Sequence, residues 1–276
     1  MKKKSRHLKR NVSLIILLLI ALFSVVPFYY VFTISTKLPA DAFSSSFKVV
    51  YSITWENFLK LWVEDKFLLY LRNSFIITLA SMLISVPMAT LAAYGLIRHE
   101  SRFSGAVLNS MLGLRMFPPM LLVIPYFLLA SKLQLTDTHI ILILIIVASN
   151  QPFAIWLMRG FLISLPKELD EAARIDGCGM LKTVTKVILP LAMPGIGTAS
   201  IFTFLLSYNE YLFALVLTGK NTMTMPVAIG KYAGEELIYW SANAAGIVCL
   251  ILPICVIMIF LQKWLVKGLT AGAVKG

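Results

Sequence analysis

Residues 170–190 read DEAARIDGCGMLKTVTKVILP. This is a charged, helix-punctuated stretch set between two apolar runs. The chain around it has 276 residues, is 59% hydrophobic and only 14% charged, and has a mean hydropathy of +0.84. A soluble domain of this length cannot hide that much apolar surface. Uncharged apolar runs of about 18 residues or more read as membrane helices. Six spans are expected, at 12–36, 73–97, 108–131, 139–161, 188–217 and 240–264. The third has an uncharged core of only 116–131 and reaches full length if Arg115 snorkels at its inner end. Residues 162–187 then form a polar loop between the fourth and fifth spans. The expected fold is an all-α membrane protein with one transmembrane domain over 1–276. The long apolar stretch near the N-terminus has no small-x-small site after it, which predicts a retained first span rather than a cleaved signal peptide.

The loop has the punctuation of two short helices. Ser164 is placed to cap the first, Pro166 fits its first turn, acids crowd its N-terminal half and Gly177 stops it. Leu165, Leu169, Ala172 and Ala173 fall on one face; Lys167, Asp170, Glu171 and Arg174 fall on the other. A second piece puts Leu181, Val184 and Ile188 on one side and ends at Pro190. A rigid helix–turn–helix with a charged face suits docking to a soluble partner. A merely solvated loop is the plainer alternative.

The net charge is +12. With both termini on the cytoplasmic side, 17 of the 25 Lys and Arg residues fall inside, in accord with the positive-inside rule. The basic residues therefore serve as topology signals, and nucleic acid is not an expected partner. Cys178, Cys249 and Cys255 suggest no disulfide framework, and the three histidines are scattered, so no metal site is proposed. No catalytic residues are assigned: no nucleophile–base pair or paired membrane carboxylates are visible.

Polar residues inside the spans are costly unless they face protein or water. Ser74, Thr78, Ser81 and Ser85 share one helical face, for close packing or for lining a pathway. Asn150 and Gln151 lie near the middle of span four; Tyr208, Asn209, Glu210 and Tyr211 lie in span five. Polar residues inside a span are functional candidates by default, so these six are the candidate substrate-pathway residues. Alternatively, Glu210 bonds a neighbouring helix. In the external loop, Trp55, Phe58, Leu59 and Trp62 recur at helical spacing with Thr54 as N-cap, for an interfacial anchor or a docking surface.

Glu171-Ala172-Ala173, Gly177 and Leu189-Pro190, with Val187 at an aliphatic position, match the EAA loop of ABC importer permeases. With PFAIWLMRGFLISLPKELDEAARIDG, YNEYLFALVLT and the tail GLTAGAVKG, the chain resembles the smaller six-span subunit of binding-protein-dependent sugar importers of the maltose-transporter type. The resemblance implies a multi-pass permease of a bacterial cell membrane. It implies an ATP-driven importer of carbohydrate, an oligosaccharide above all. Partners follow from it: a second homologous permease, a cytoplasmic ATPase dimer and an extracytoplasmic sugar-binding protein. Glu171, Ala172, Ala173, Arg174 and Gly177 carry over as the ATPase contact, and the tail as a second contact or a frayed end. ATP and Mg belong to the ATPase, and this chain binds no cofactor itself; it contains no G-x-x-x-x-G-K-[ST] motif. A permease for a polyol or glycerol phosphate is the near alternative. An ion-coupled carrier is the more distant one, opposed by the lone membrane acid and the lack of a repeat.

Overall fold

The computed structural model describes residues 2–42, 51–98, 102–232 and 240–271. Every regular element among them is helical. Thirteen helices follow in order: α1 (Lys2–Ser35), α2 (Pro39–Ala42), α3 (Glu56–Leu59), α4 (Phe67–Arg98), α5 (Arg102–Arg115), α6 (Pro119–Lys132), α7 (His139–Leu162), α8 (Glu168–Ile175), α9 (Met180–Thr183), α10 (Leu189–Tyr208), α11 (Leu212–Leu217), α12 (Met225–Gly230) and α13 (Trp240–Ala271). Wider π turns at Lys60–Glu64 and Val184–Ile188 extend α3 and join α9 to α10.

Among the described residues five helical stretches are long and apolar enough to cross a membrane: Asn11–Ser35, Phe67–Arg98, His139–Leu162, Met180–Tyr208 and Trp240–Lys263. The expected third span is a bent pair, Ser104–Arg115 and Pro119–Lys132, turning by 93° at the break. The cause is local. Pro118 sits in extended backbone (φ −60°, ψ 122°) and Pro119 opens α6, so no amide continues the ladder from α5. Span five also stops early, at Tyr208, and restarts as α11.

The chain forms two compact units, Met1–Phe67 with Ala228–Leu252 and Leu68–Val227 with Pro253–Gly276. In the first, the Asn57 amide donates to the Ser35 and Lys37 carbonyls, both at 2.9 Å, closing the end of α1. Thr54 accepts from the Glu56 amide at 3.3 Å, while Trp55 occupies the cap position itself. Asn57 and Leu61 are buried there, Phe58 is half-buried, and Trp55, Leu59 and Trp62 are exposed.

In the second unit, α4, α7 and α10 pack through Ala89, Ala93, Ala154, Ala192 and Ala199, with Met158, Val184 and Ile188 filling the space between. Small residues let membrane helices approach where apolar burial gives no driving force. The Ser74, Thr78, Ser81 and Ser85 face is wholly buried. Ser74 Oγ accepts from the Met225 amide at 2.8 Å. That is packing, not a lined pathway. At Gly195 an added Cβ would sit 2.5 Å from Phe161 Cγ and 2.7 Å from its Cβ, atoms too near the α7 backbone to swing away. Gly195→Ala is expected to cost about 1–3 kcal/mol by overpacking. A melting temperature in detergent equal to that of the parent chain would refute this.

Candidate functional site

The 162–187 loop folds as anticipated in outline but not in detail. Ser164 does not cap: its hydroxyl donates back to the Phe161 carbonyl at 2.6 Å, and α8 begins at Glu168 with no side-chain cap. α8 ends in a Schellman turn. The Gly177 amide donates to the Arg174 carbonyl at 3.0 Å and the Cys178 amide to the Ala173 carbonyl at 2.9 Å. Gly177 has φ +77°, a left-handed conformation that L side chains avoid.

Of the five loop candidates, Glu171, Ala172, Arg174 and Gly177 are exposed and Ala173 is buried. Beside them lie Ile175, 86% exposed, Met180, 61%, and Leu181, 75%. Leu181 thus corrects its expected place: Val184 and Ile188 turn inward, and Leu181 turns out. Asp170 is a second correction. It is only 6% exposed rather than on the charged face. Its Oδ1 accepts a very short hydrogen bond from the Tyr94 hydroxyl, and its Oδ2 lies 2.7 Å from Arg98 Nη2. Helical spacing could not show this, because both partners lie more than 70 residues upstream on α4.

The substrate-pathway candidates separate. Asn150 and Glu210 line one cavity of about 650 Å³, together with Arg115, Phe117, Tyr126 and Ser149. The cavity lies where the α5–α6 break and the α10–α11 break face α7. Asn150 Nδ2 donates to Ser207 Oγ at 3.3 Å, and Glu210 Oε1 accepts from the Phe213 amide at 3.0 Å, which caps α11. Arg115, whose expected role is snorkelling, lines this cavity with its guanidinium 4.3 Å over the Phe153 ring. The other four are not part of the lining. Gln151 donates to the Ser85 carbonyl and hydroxyl at 3.2 and 3.3 Å. Tyr208, 1% exposed, stacks on Phe204 at 5.6 Å and faces Phe75. Asn209 donates to the Leu205 carbonyl at 2.9 Å, and Tyr211 is exposed.

A third cluster went unread in the sequence. Asp137, at φ +57°, accepts at Oδ1 from the Gly219 amide (2.8 Å), the Thr222 amide (3.1 Å) and the Thr222 hydroxyl (2.7 Å). Its Oδ2 accepts from the Asn221 amide (3.3 Å) and side chain (3.0 Å). Asn73 completes the clasp, donating to the Asn221 and Met223 carbonyls and pairing with His139 at 3.0 Å. Partial burial raises the Asp137 pKa, but the hydrogen bonds from Thr222, Gly219 and Asn221 outweigh it and hold the group below the ordinary carboxylate value.

Helices of membrane-spanning length, a mostly apolar cavity that carries Asn150 and Glu210 in its lining, and an exposed helical knob on one loop are features of a membrane transport subunit. The model of the family described as "Binding-protein-dependent transport system inner membrane component" matches residues 85–271, and the chain belongs to that family of multi-pass ABC transporter permeases. It is 36% identical to the trehalose/maltose transport system permease protein MalG of Thermococcus litoralis over 276 residues, covering 98% of each chain. It is 34% identical to the melibiose/raffinose/stachyose import permease protein MelC of Bacillus subtilis, covering 91% of each. A subunit of a bacterial ABC transporter involved in alginate import shares the fold, with a TM-score of 0.76 at 24% identity over 94% of this chain and 97% of that one. The chain is a transport component rather than an enzyme.

Proposed function

We propose that this chain forms half of the translocation pathway of an ATP-driven carbohydrate importer. Both termini face the cytoplasm and the whole chain serves as one transmembrane domain. The α8–α9 knob docks in a cleft of a cytoplasmic ATPase dimer, which holds ATP and Mg. A homologous second permease completes the pathway, and an extracytoplasmic binding protein delivers the sugar. The observation that carries this reading is the knob itself: Glu171, Ala172 and Arg174 beside exposed Ile175, Met180 and Leu181, around a glycine held in a left-handed turn. Apolar residues grouped on an otherwise polar loop fit a surface that a partner protein covers. The sugar names of the relatives support the substrate class. The tail's second ATPase contact falls partly outside the described residues, at 272–276.

Mild detergent extraction of the native complex, followed by mass spectrometry, tests the assembly. A second permease and an ATPase should co-purify; a chain that purifies alone would sink the reading.

Within the cavity, Asn150 and Glu210 are the sugar-contact candidates. Sugar hydroxyls need both donors and acceptors, and one hydrogen bond to a charged group is worth about 1.5–3 kcal/mol. Glu210→Gln keeps an oxygen for the α11 cap but removes the charge. It should slow uptake of labelled sugar into proteoliposomes roughly tenfold while the ATPase still co-purifies. Uptake within twofold of the parent would remove Glu210 from the sugar path.

A further inference from the structure

We infer that Tyr94, Arg98 and Asp170 form the joint through which motion of α8 is carried into the membrane helix α4, so that they act as positioning residues for energy coupling. The inference rests on the reading of α8 as the ATPase-docking helix. α8 has eight residues and is joined to α7 by the short segment 163–167. A helix so short would swing on its connection unless something held its angle. The hold is made on the inward face, from one side chain. Asp170 is bound at both oxygens by groups one turn apart on the last turns of α4: the Tyr94 hydroxyl on Oδ1 and Arg98 Nη2, at 2.7 Å, on Oδ2.

Three features make this a joint rather than a surface ion pair. Both charged side chains are about nine-tenths buried, at 11% and 8% exposure, so water does not screen them. Arg98 lies against the Tyr94 ring, 5.8 Å from its centroid, and reaches toward the Leu165 and Pro166 carbonyls of the connection at 3.5 Å. One guanidinium thus spans α4, α8 and the segment leading into α8. Tyr94 also belongs to the core packed from α4, α7 and α10, with Leu165 and Leu169 of the loop set against it. A push on α8 therefore meets the α4 backbone directly.

Arg98 Nε and Asp170 Oδ2 have no hydrogen-bond partner among the described residues, although the Arg98–Asp170 ion contact is close. The 2.7 Å contact is charge meeting charge without good hydrogen-bond alignment.

The test uses the whole transporter in proteoliposomes, measuring sugar uptake and ATP hydrolysis together. Tyr94→Phe removes one hydroxyl and leaves the ion pair; Asp170→Asn removes the charge. The expected result is that both variants keep the ATPase bound while sugar moved per ATP falls at least fivefold. The exchanged pair Arg98→Asp with Asp170→Arg should recover part of that loss. Sugar per ATP within twofold of the parent in both single variants would overturn the inference. So would loss of the ATPase from the Tyr94→Phe complex, since the triad would then only keep α8 folded. Gly177→Val is run alongside. If it fails to weaken ATPase binding, the docking role of α8 falls first, and that failure is distinguishable from failure of the joint.

Discussion

Replacing Gly177 by valine is expected to cut sugar uptake at least tenfold and to weaken retention of the ATPase. The cause lies in the backbone. Gly177 holds φ +77° and supplies the first of the two amide bonds that close α8. An L residue in that region costs about 1–2 kcal/mol, and a β-branched one sits there only as an outlier. The turn would relax toward negative φ, and both closing bonds would go with it. Ile175, Met180 and Leu181, on either side of the turn, would then no longer share a surface. Among the described residues nothing lies within 4 Å of an added Cβ at Gly177, so no clash with them contributes. That makes Gly177→Asn informative, because asparagine tolerates the left-handed region. If asparagine restores the ATPase, the glycine is needed for its backbone alone; if it does not, the partner approaches the turn too closely for any side chain. Uptake in Gly177→Val within twofold of the parent would refute the prediction.

Asp137→Ala is expected to release the 218–224 segment and to destabilise the second unit by about 2–3 kcal/mol, since hydrogen bonds to a charged acceptor are each worth more than a neutral one. Three backbone amides and two side chains converge on this one carboxylate. The site is partly exposed, so water recovers some of the loss, and the figure is set well below the sum of five bonds. Gly219→Ala should act in the same direction, because an added Cβ would lie 2.8 Å from the Asp137 carboxyl carbon. The readouts are the melting temperature in detergent and the rate of protease cutting in 218–224. Unchanged values for Asp137→Ala would show that the clasp carries no stability. The pH dependence follows from the lowered pKa. The clasp contributes fully above the ordinary carboxylate pKa, and its contribution is lost as the pH falls through the lower, folded value. Acid should therefore loosen this segment in the parent chain and leave the melting temperature of Asp137→Ala less affected.

Local pattern sufficed for the long apolar spans, because a run of uncharged residues needs no partner to be read. It sufficed for the end of α8, where one glycine after a charged helix marks the stop. It did not show that the third span turns by 93° at Pro118 and Pro119. It failed wherever a polar residue chose between facing outward and finding a distant partner. Asp170 fits an amphipathic helix equally well on either edge of its polar face; only the arrival of Tyr94 and Arg98 makes burial affordable. Nor could local pattern show that the Tyr208 ring packs against Phe204 and Phe75. Asp137 carries no motif at all, since its partners are mostly backbone amides about 80 residues away.

By itself, then, the amino-acid order determined that this is a helical membrane protein, where its loop with the EAA pattern lies, and which glycine ends α8; the permease family came from a resemblance to known sequences. The spans and the end of α8 follow from hydropathy and backbone stereochemistry, which are short-range. Which acids are buried, which two of six candidates share a cavity, and how α8 is tied to α4 were decided only by the tertiary structure. The reason is that a buried polar group is stable only when its partner is delivered by another helix, and that pairing leaves no periodic mark on either segment.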